Sequence, residues 1–541
     1  MPRPLIYWSQ SDEETREQTL TATPHHYDID APVQTEITPR ERATLLTSVL
    51  VISICALTYE LLIATLSSYL LGDSVTQFSF TIGFFLFAMG TGALLSRAIK
   101  GNELRYFIVV ELLTGLFGGL SAVILYAVFS STDLLYYPVM IAVIMSVGTC
   151  IGLEIPLLTR IVANRADLGD ALADILSIDY LGSLLAAIAF PIVLLPLLGV
   201  TQTAFLMGLL NVLAAALALS LFAYRLPRRW VRRLWVGCGV VAAIMIVGVV
   251  SSSSLVKLME RQLYDDAVVF SQQSSYQRIV LTRGRGDDIR LYLEGNLQFS
   301  SRDEYRYHET LVHPLMGAAR HHEHILVLGG GDGIVARELL KYGDVEQITV
   351  VDLDPAMTEF ARDNPMMTAV NADALDDPRV TVVNADAYRY VEDSDDLYSA
   401  VIIDLPDPNN ETLAKLYSQP FYRLLGQRMT PDGVFMTQAT SPYFVREAFW
   451  TIANTIEGSG FEIVPLKVHV PSFGEWGFIL ASPVQAPPLR LPENVPLQWL
   501  DETLLEQATV FDTDTERVET EINTLNNPVL HRYYTDGWRE W

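Results

Sequence analysis

Between residues 44 and 252 the chain carries a succession of apolar stretches, each near the roughly 20 residues an α-helix needs to cross about 30 Å of hydrocarbon. No other feature narrows the fold as far. In hydrocarbon every backbone N–H and C=O has to be bonded inside its own segment, so stretches of this kind fold as helices and pack into a bundle. A window reading gives about seven of them, over 45–71, 78–95, 106–129, 134–158, 180–198, 203–223 and 234–250. Cys55, Cys150 and Cys238 all fall inside these spans, where neither a disulfide framework nor a C-x-x-C zinc site is available.

Half of the residues are apolar, yet the formal net charge is −26, from 63 acidic against 37 basic side chains. Apolar and charged residues are therefore segregated, and two solvents are implied. Residues 1–43 are polar and acidic and lack the basic start, short apolar core and cleavage site of a signal peptide, so a disordered cytoplasmic arm is expected there. The acidic balance argues against nucleic acid as a partner and suits cationic ligands, although a solubilising surface uses the same residues. Within the spans stand Glu60, Glu111 and Glu154 with no lysine or arginine at similar depth. Carboxylates placed so mark a cation path, or are neutralised by protons and by bonds to neighbours such as Tyr59.

The composition turns mixed and polar after Ser251–Ser254. Alternating stretches at 278–282 and 289–293, separated by Gly284-Arg285-Gly286-Asp287, predict a β-hairpin within a small subdomain over 256–300. A short apolar run at 324–328 then meets Gly329-Gly330-Gly331-Asp332-Gly333 and a helix-like segment, which is the strand, tight loop and helix order of a nucleotide site. The next strand ends at Asp352, about 20 residues on, where a carboxylate can accept both ribose hydroxyls. Further strands lead to Asp386 and Asp404, and acids at successive strand ends converge on one crevice. An open, mainly parallel, Rossmann-like α/β sheet is expected over 301–485, with an acidic extension over 486–541. The compact glycine loop differs from the spaced dinucleotide fingerprint, and an adenosyl sulfonium fits it better than a nicotinamide.

Four blocks in order carry a resemblance: Tyr276-Gln277; Leu293-Glu294-Gly295 with Gln298, Asp303-Glu304 and Tyr307-His308-Glu309; the glycine loop with Arg337-Glu338; and Asp404 to Asp407 followed by Leu416-Tyr417 and Phe421-Tyr422. Over 263–482 they resemble the spermidine synthases, which are polyamine aminopropyltransferases with the fold of S-adenosylmethionine methyltransferases. The whole chain looks like the subgroup in which a multi-pass membrane region precedes the synthase. The resemblance implies decarboxylated S-adenosylmethionine as cosubstrate, putrescine or a related diamine as acceptor, and spermidine with methylthioadenosine as products. It implies no prosthetic group and no metal, and it is compatible with a homo-oligomer, dimer or tetramer. By the same carry-over Gln277, Gln298, Tyr307 and Asp332 hold the aminopropyl and methionine-derived end, Asp352 the ribose and Asp386 the adenine. Asp404 is the catalytic acid-base residue, and Asp407 with Gln438 orients the acceptor amine; Tyr307 borders both substrates. His308 and His313 are read as packing and supporting groups.

The chemistry asks for such residues on its own account. An alkylamine resembles lysine, with a pKa of about 10.4, so the nucleophile arrives protonated at neutral pH. One carboxylate can take that proton while a second holds the distant ammonium and sets the line of attack. Departures from the family pattern fall mostly on the acceptor side: Leu405-Pro406 replaces a small hydroxylic pair, and Val470 stands where many members have tyrosine. Ile334 replaces a glycine of the donor loop. Two other readings share these features. A methyltransferase would use the same sheet and ribose acid, and a membrane polyamine transporter or sensor would use the synthase-like half only to bind. The basic residues Arg97, Lys100, Arg105, Arg160, Arg165, Arg225, Arg228, Arg229, Arg232 and Arg233 mark cytoplasmic loops, with the amino terminus on the same side. Seven full spans then put the catalytic half outside, whereas a nucleoside cosubstrate calls for a cytoplasmic one.

Overall fold

The computed structural model describes residues 39–71, 74–129, 135–162, 168–274 and 276–541. The greater part of the acidic tail, together with Asp73, Asp133 and Arg165, lies outside them. Among the described residues seven helices precede any strand: α1 (Pro39–Leu71), α2 (Ser74–Leu95), α3 (Glu103–Phe129), α4 (Tyr136–Val162), α5 (Leu168–Ala189), α6 (Leu195–Phe222) and α7 (Arg228–Leu263). A π-helical turn, Phe190–Leu194, joins α5 to α6. Counted as continuous apolar segments there are six, one of them running from Gly169 to Arg225 over 57 residues. At 1.5 Å per residue such a segment would measure about 85 Å, far more than a bilayer. Gly199, at φ 69° and ψ 177°, breaks it where the sequence reading placed a loop.

Polar contacts bring alternate helix ends to one end of the bundle. Arg160 of α4 donates to the carbonyls of Ser96 and Ile99, beyond α2, at 2.8 and 2.9 Å. Tyr224, after α6, donates to Glu41 of α1 at 2.7 Å, and Arg42 pairs with Asp174 of α5. Arg105 of α3 lies 4.5 Å from the ring centre of Trp230 on α7. At the other end, Tyr69 comes within electrostatic range of Tyr126, Tyr264, Arg278 and Glu294, so the sheets adjoin the end away from the arginines. The last helix does not stop at Ser251–Ser254 but continues through Leu263. The segment that follows the serines is rich in Leu, Lys, Met, Glu, Arg and Gln, all good helix formers.

A four-stranded antiparallel sheet follows: β1 (Ala267–Gln273), β2 (Arg278–Arg283), β3 (Ile289–Leu293) and β4 (Asn296–Ser300), in that order. The turn between β2 and β3 uses Gly286 and Asp287 at φ 71° and 62°. The larger sheet is built from α8 (Glu304–Ala318), β5 (His324–Gly329), α9 (Ile334–Leu339), β6 (Gln347–Asp352), α10 (Pro355–Asp363), α11 (Pro365–Asn371), β7 (Val380–Asn384), α12 (Ala387–Asp393), β8 (Tyr398–Asp404), α13 (Glu411–Ala414), α14 (Gln419–Gly426), β9 (Met429–Gln438), α15 (Arg446–Glu457), β10 (Glu462–Val470) and β11 (Gly474–Ser482). Its strand order is β10-β11-β9-β8-β5-β6-β7. The five strands from β9 to β7 run parallel, and β11 is antiparallel to both neighbours.

Residues of α8, α9 and α10 close one face of this sheet, and residues of α12, α14 and α15 close the other. The chain moves outward in opposite directions from β5 and β8, so the crevice of the fold opens beyond the carboxyl ends of those two strands. The extension folds back onto this body through α16 (Glu502–Ala508) and α17 (Val529–Trp538). Glu309 of α8 accepts the backbone N–H groups of Trp499 and Leu500 at 3.0 and 2.8 Å, and Asn523 donates to the carbonyls of Ala414 and Tyr417.

Candidate active site

The glycine loop brings three strand ends together. Gly329 sits at φ +86°, and a Cβ there would stand 1.9 Å from the carbonyl oxygen of Asp404, so only glycine lets β5 end beside β8. Gly331 donates its N–H to Asp352 Oδ2 at 3.0 Å, while Oδ1 accepts from Asp354 N–H at 2.9 Å. These donors oppose the burial of Asp352 without cancelling it, and its carboxyl is pushed up to about 6. Asp332 turns its Oδ1 to the N–H of Ile334 at 2.9 Å. Burial pushes it up to about 6 as well; His308 opposes that and the charge of Asp404 adds to it.

Asp404 ends β8 in the middle of this group. Tyr307 reaches it from α8, its hydroxyl donating to Oδ1 at 2.6 Å. Burial raises the Asp404 carboxyl above the ordinary range, and His308 and the Tyr307 bond hold it back. The Tyr307 ring is fixed edge-on by Phe473 and Phe478, at centroid distances of 6.0 and 5.0 Å. Below it Glu304 holds His308 at 2.8 Å and takes a bidentate pair from Arg337 at 2.9 and 3.0 Å. Burial disfavours charge on His308, but Glu304, Asp332 and Asp404 together raise its pKa, so a cation is favoured beneath the acids. His313 bridges Tyr342 and Glu338, within a packing network.

Three residues after Asp404, Asp407 is partly buried and multiply bonded. Oδ2 accepts from Tyr534 at 3.0 Å and from Thr440 at 3.2 Å, and Oδ1 lies 3.3 Å from Gln438 Nε2. Burial outweighs these bonds and pushes its carboxyl up to about 6. Gln438 Nε2 also lies 2.7 Å from the Leu405 carbonyl and 2.6 Å from the Tyr417 hydroxyl, which itself donates to Pro406 at 3.0 Å. Gln438 therefore braces the loop over 405–407. On the same side Asp303 accepts the N–H and hydroxyl of Ser472 at 2.7 and 2.9 Å, pinning the turn after the buried Val470.

The structure thus brings together Tyr307, Asp332, Asp352, Asp404, Asp407 and Gln438. Gln277 comes in through Asp354, to which it donates at 3.2 Å. Gln298 bonds to the carbonyl of Asn296 on its own strand. Asp386 caps α12 and pairs with Lys415 at 2.9 Å; burial works against its charge, but Lys415 and the backbone donors hold its carboxyl below the usual range. Sequence reasoning missed Tyr534. Leu530, Tyr534 and Trp538 recur every four residues, a helical stripe that could have pointed to a docked helix rather than a tail. Among the described residues no three His, Cys, Asp or Glu side chains are arranged to hold a metal ion.

A family model described as the spermine/spermidine synthase domain matches residues 304–489. The polyamine aminopropyltransferase of Leptospira interrogans is 43% identical over 499 residues, covering 92% of this chain and 99% of that protein. Polyamine aminopropyltransferase 2 of Ralstonia nicotianae is 44% identical over 507 residues, again with 92% and 99% coverage. Matches of that length extend through the helical half. A crystal structure of spermidine synthase in complex with the transition state analogue AdoDATO aligns with a TM-score of 0.42 at 24% identity, covering 45% of this chain and 85% of that one.

Proposed function

The chain belongs to the polyamine aminopropyltransferase family, and from that premise we propose that the Asp404–Asp407 site moves the aminopropyl group of decarboxylated S-adenosylmethionine onto putrescine or a related diamine. The aminopropyl carbon next to the sulfonium is already electrophilic, so the protein has to deliver a neutral amine in line with the C–S bond. As the new C–N bond forms, the C–S bond breaks and its electron pair returns to sulfur, leaving methylthioadenosine as a neutral thioether. The nitrogen sheds a proton, and Asp404, poised by burial and oriented by Tyr307, is the group to take it. Asp407 holds the far ammonium of the acceptor, and Gln438 keeps its loop in place. Asp332 and Asp352, at the ends of the glycine loop and β6, serve the donor's amino and ribose groups, with Gln277 beside them. Gln298 and Asp386 keep the donor-side roles that the family pattern gives them.

The observation that carries this reading is the pair of partly buried acids three residues apart, one bonded to Tyr307 and the other to Tyr534 and Thr440. Purified full-length protein given decarboxylated S-adenosylmethionine and a panel of diamines should release methylthioadenosine and the extended amine in equal amounts. Methyl transfer from intact S-adenosylmethionine instead would overturn the assignment.

The helical half is proposed to lie in the bilayer. Its helices turn Leu86, Phe87, Ile192 and Leu197 outward at 60, 65, 67 and 75% exposure, faces that lipid covers and water does not favour. Two rules disagree on the side. The positive-inside rule puts the arginine end in the cytoplasm and the sheets opposite, while a nucleoside cosubstrate made inside the cell requires the reverse. A reporter fused after Trp541 reads the answer directly: an extracytoplasmic signal follows the arginines, a cytoplasmic one the cosubstrate.

A further inference from the structure

We propose that the helical bundle holds a second amine site, in which the carboxylates of Glu60, Glu111, Glu154 and Asp179 take the ammonium groups of a di- or polyamine. The ligand class rests on the aminopropyltransferase reading; the site rests on the bundle itself. A cavity of about 80 Å³, partly open at its edge, lies between α1, α2, α4 and α5. Ser53, Glu60, Met89, Glu154 and Asp179 line it, and among the described residues no lysine or arginine does. Ser53 donates to Asp179 at 2.6 Å, and Glu154 lies within electrostatic range of both Asp179 and Glu111.

The second observation concerns Glu111 on α3. Its side chain is wholly buried, and neither carboxylate oxygen has a hydrogen-bond partner. Glu154 has the Thr114 hydroxyl at 3.1 Å on one oxygen. The amide of Asn211 on α6 is buried and unpartnered as well, and its Cβ stands 3.2 Å from where a Cβ would project from Gly115, one turn along from Glu111. Leaving a buried polar group unbonded is costly, and buried polar groups in folded chains are nearly always bonded. Four acids and an amide gathered here, with no lysine or arginine among the described residues that line the cavity, are an arrangement that a cationic ligand completes.

The spacing selects an amine over a metal ion. Among the described residues these acids do not come close enough in threes to coordinate a metal. Glu60, Glu154 and Asp179 reach the cavity from α1, α4 and α5, Ala56, Leu57 and Met89 share its wall, and Glu111 on α3 is in electrostatic range of Glu154. A chain of methylenes carrying separated ammonium groups suits a wall of both carboxylates and apolar side chains, since each ammonium needs its own acceptors and each methylene an apolar neighbour.

The test uses full-length protein in lipid nanodiscs carrying Asp407→Asn, which disables the acceptor end of the first site, with radiolabelled spermidine as the probe. One equivalent of spermidine should still bind. Adding Glu111→Gln and Glu154→Gln should weaken it at least about tenfold, and Glu154→Asp, which keeps the charge, should retain it. The same glutamine pair in an otherwise unaltered chain should leave aminopropyl transfer unchanged, which also shows that the protein has folded; if that pair does not fold, Glu60→Gln at the cavity edge replaces it. No residual equivalent in Asp407→Asn, or one indifferent to these carboxamides, or one displaced as readily by sodium ions as by putrescine, overturns the proposal. Failure of transfer in the unaltered chain with this binding intact would instead fail the reading of the first site.

Discussion

In the sheet half Asp404 takes a hydrogen bond from Tyr307 and Asp407 takes bonds from Tyr534 and Thr440, whereas in the helical half Glu111, more deeply buried than either, takes none. What differs is whether the chain supplies the partner. Acids that must sit at one place relative to a reacting carbon are held by fixed donors, because a misplacement near 1 Å can cost a hundredfold in rate. Among the helical acids Asp179 and Glu154 have one donor each, from Ser53 and Thr114, and Glu111 has none; in the second site proposed above, the partner Glu111 lacks is an ammonium from outside the chain. The comparison breaks if the partnered acids prove dispensable for transfer.

The largest effect is expected at Asp404. Replacing it by asparagine keeps the size and the Tyr307 contact but removes the proton acceptor, so kcat should fall by about 10²–10⁴-fold with donor affinity nearly unchanged. Single-turnover release of methylthioadenosine, measured beside equilibrium binding of the donor, separates the two quantities. A smaller effect, on stability, is expected below the site. Burial works against charge on Glu304, but His308 and Arg337 outweigh it and hold its carboxyl below the ordinary range. Its stabilisation is therefore present above the unfolded carboxylate pKa and lost as pH falls through the folded one. Arg337→Met strips a cation from the buried Glu304 and Glu338 and should cost about 3 kcal/mol, lowering the melting temperature of the sheet half by roughly 6–12 °C. An unchanged melting temperature would mean that the partners in this half are ornamental to its stability.

What could be read from the sequence follows the range of the interactions. The glycine loop, Asp352 and Asp404 were legible because strand, turn and acid are consecutive in the chain, and the parallel sheet follows from that repeat. The turn between β2 and β3 was legible for the same reason. Tyr534 was not: it meets Asp407 across 127 residues, and no local pattern announces that pairing. Nor was the clasp of Glu304 by Arg337, 33 residues apart, although both residues stood in blocks that carried the family resemblance. The resemblance recorded the residues without their reason. Four consecutive serines looked like the end of the membrane-length helices, yet their flanks keep α7 helical through Leu263. The break at Gly199 falls in the gap left between the spans 180–198 and 203–223.

Tyr534→Phe moves an acid of the sheet half one step toward the condition of Glu111, and so offers the finest test of the contrast. Asp407 has to be ionised to hold an ammonium, and its carboxyl stands at about 6 in the free protein. The value of kcat/KM for the acceptor should therefore be level at neutral pH and fall on the acid side of about 6, more steeply than one proton allows, since Asp332 and Asp352 are raised to about 6 too. The hydroxyl of Tyr534 favours the charged form of Asp407, so removing it leaves burial less opposed and raises that pKa further. The acid limb should move to higher pH. Above the limb the acceptor KM should rise roughly fivefold, the loss of about 1 kcal/mol for one hydrogen bond, while kcat at saturation stays nearly constant because Asp404 is untouched. An unmoved limb would show that α17 covers the site without tuning it, and that the donors around Asp407 serve packing rather than charge.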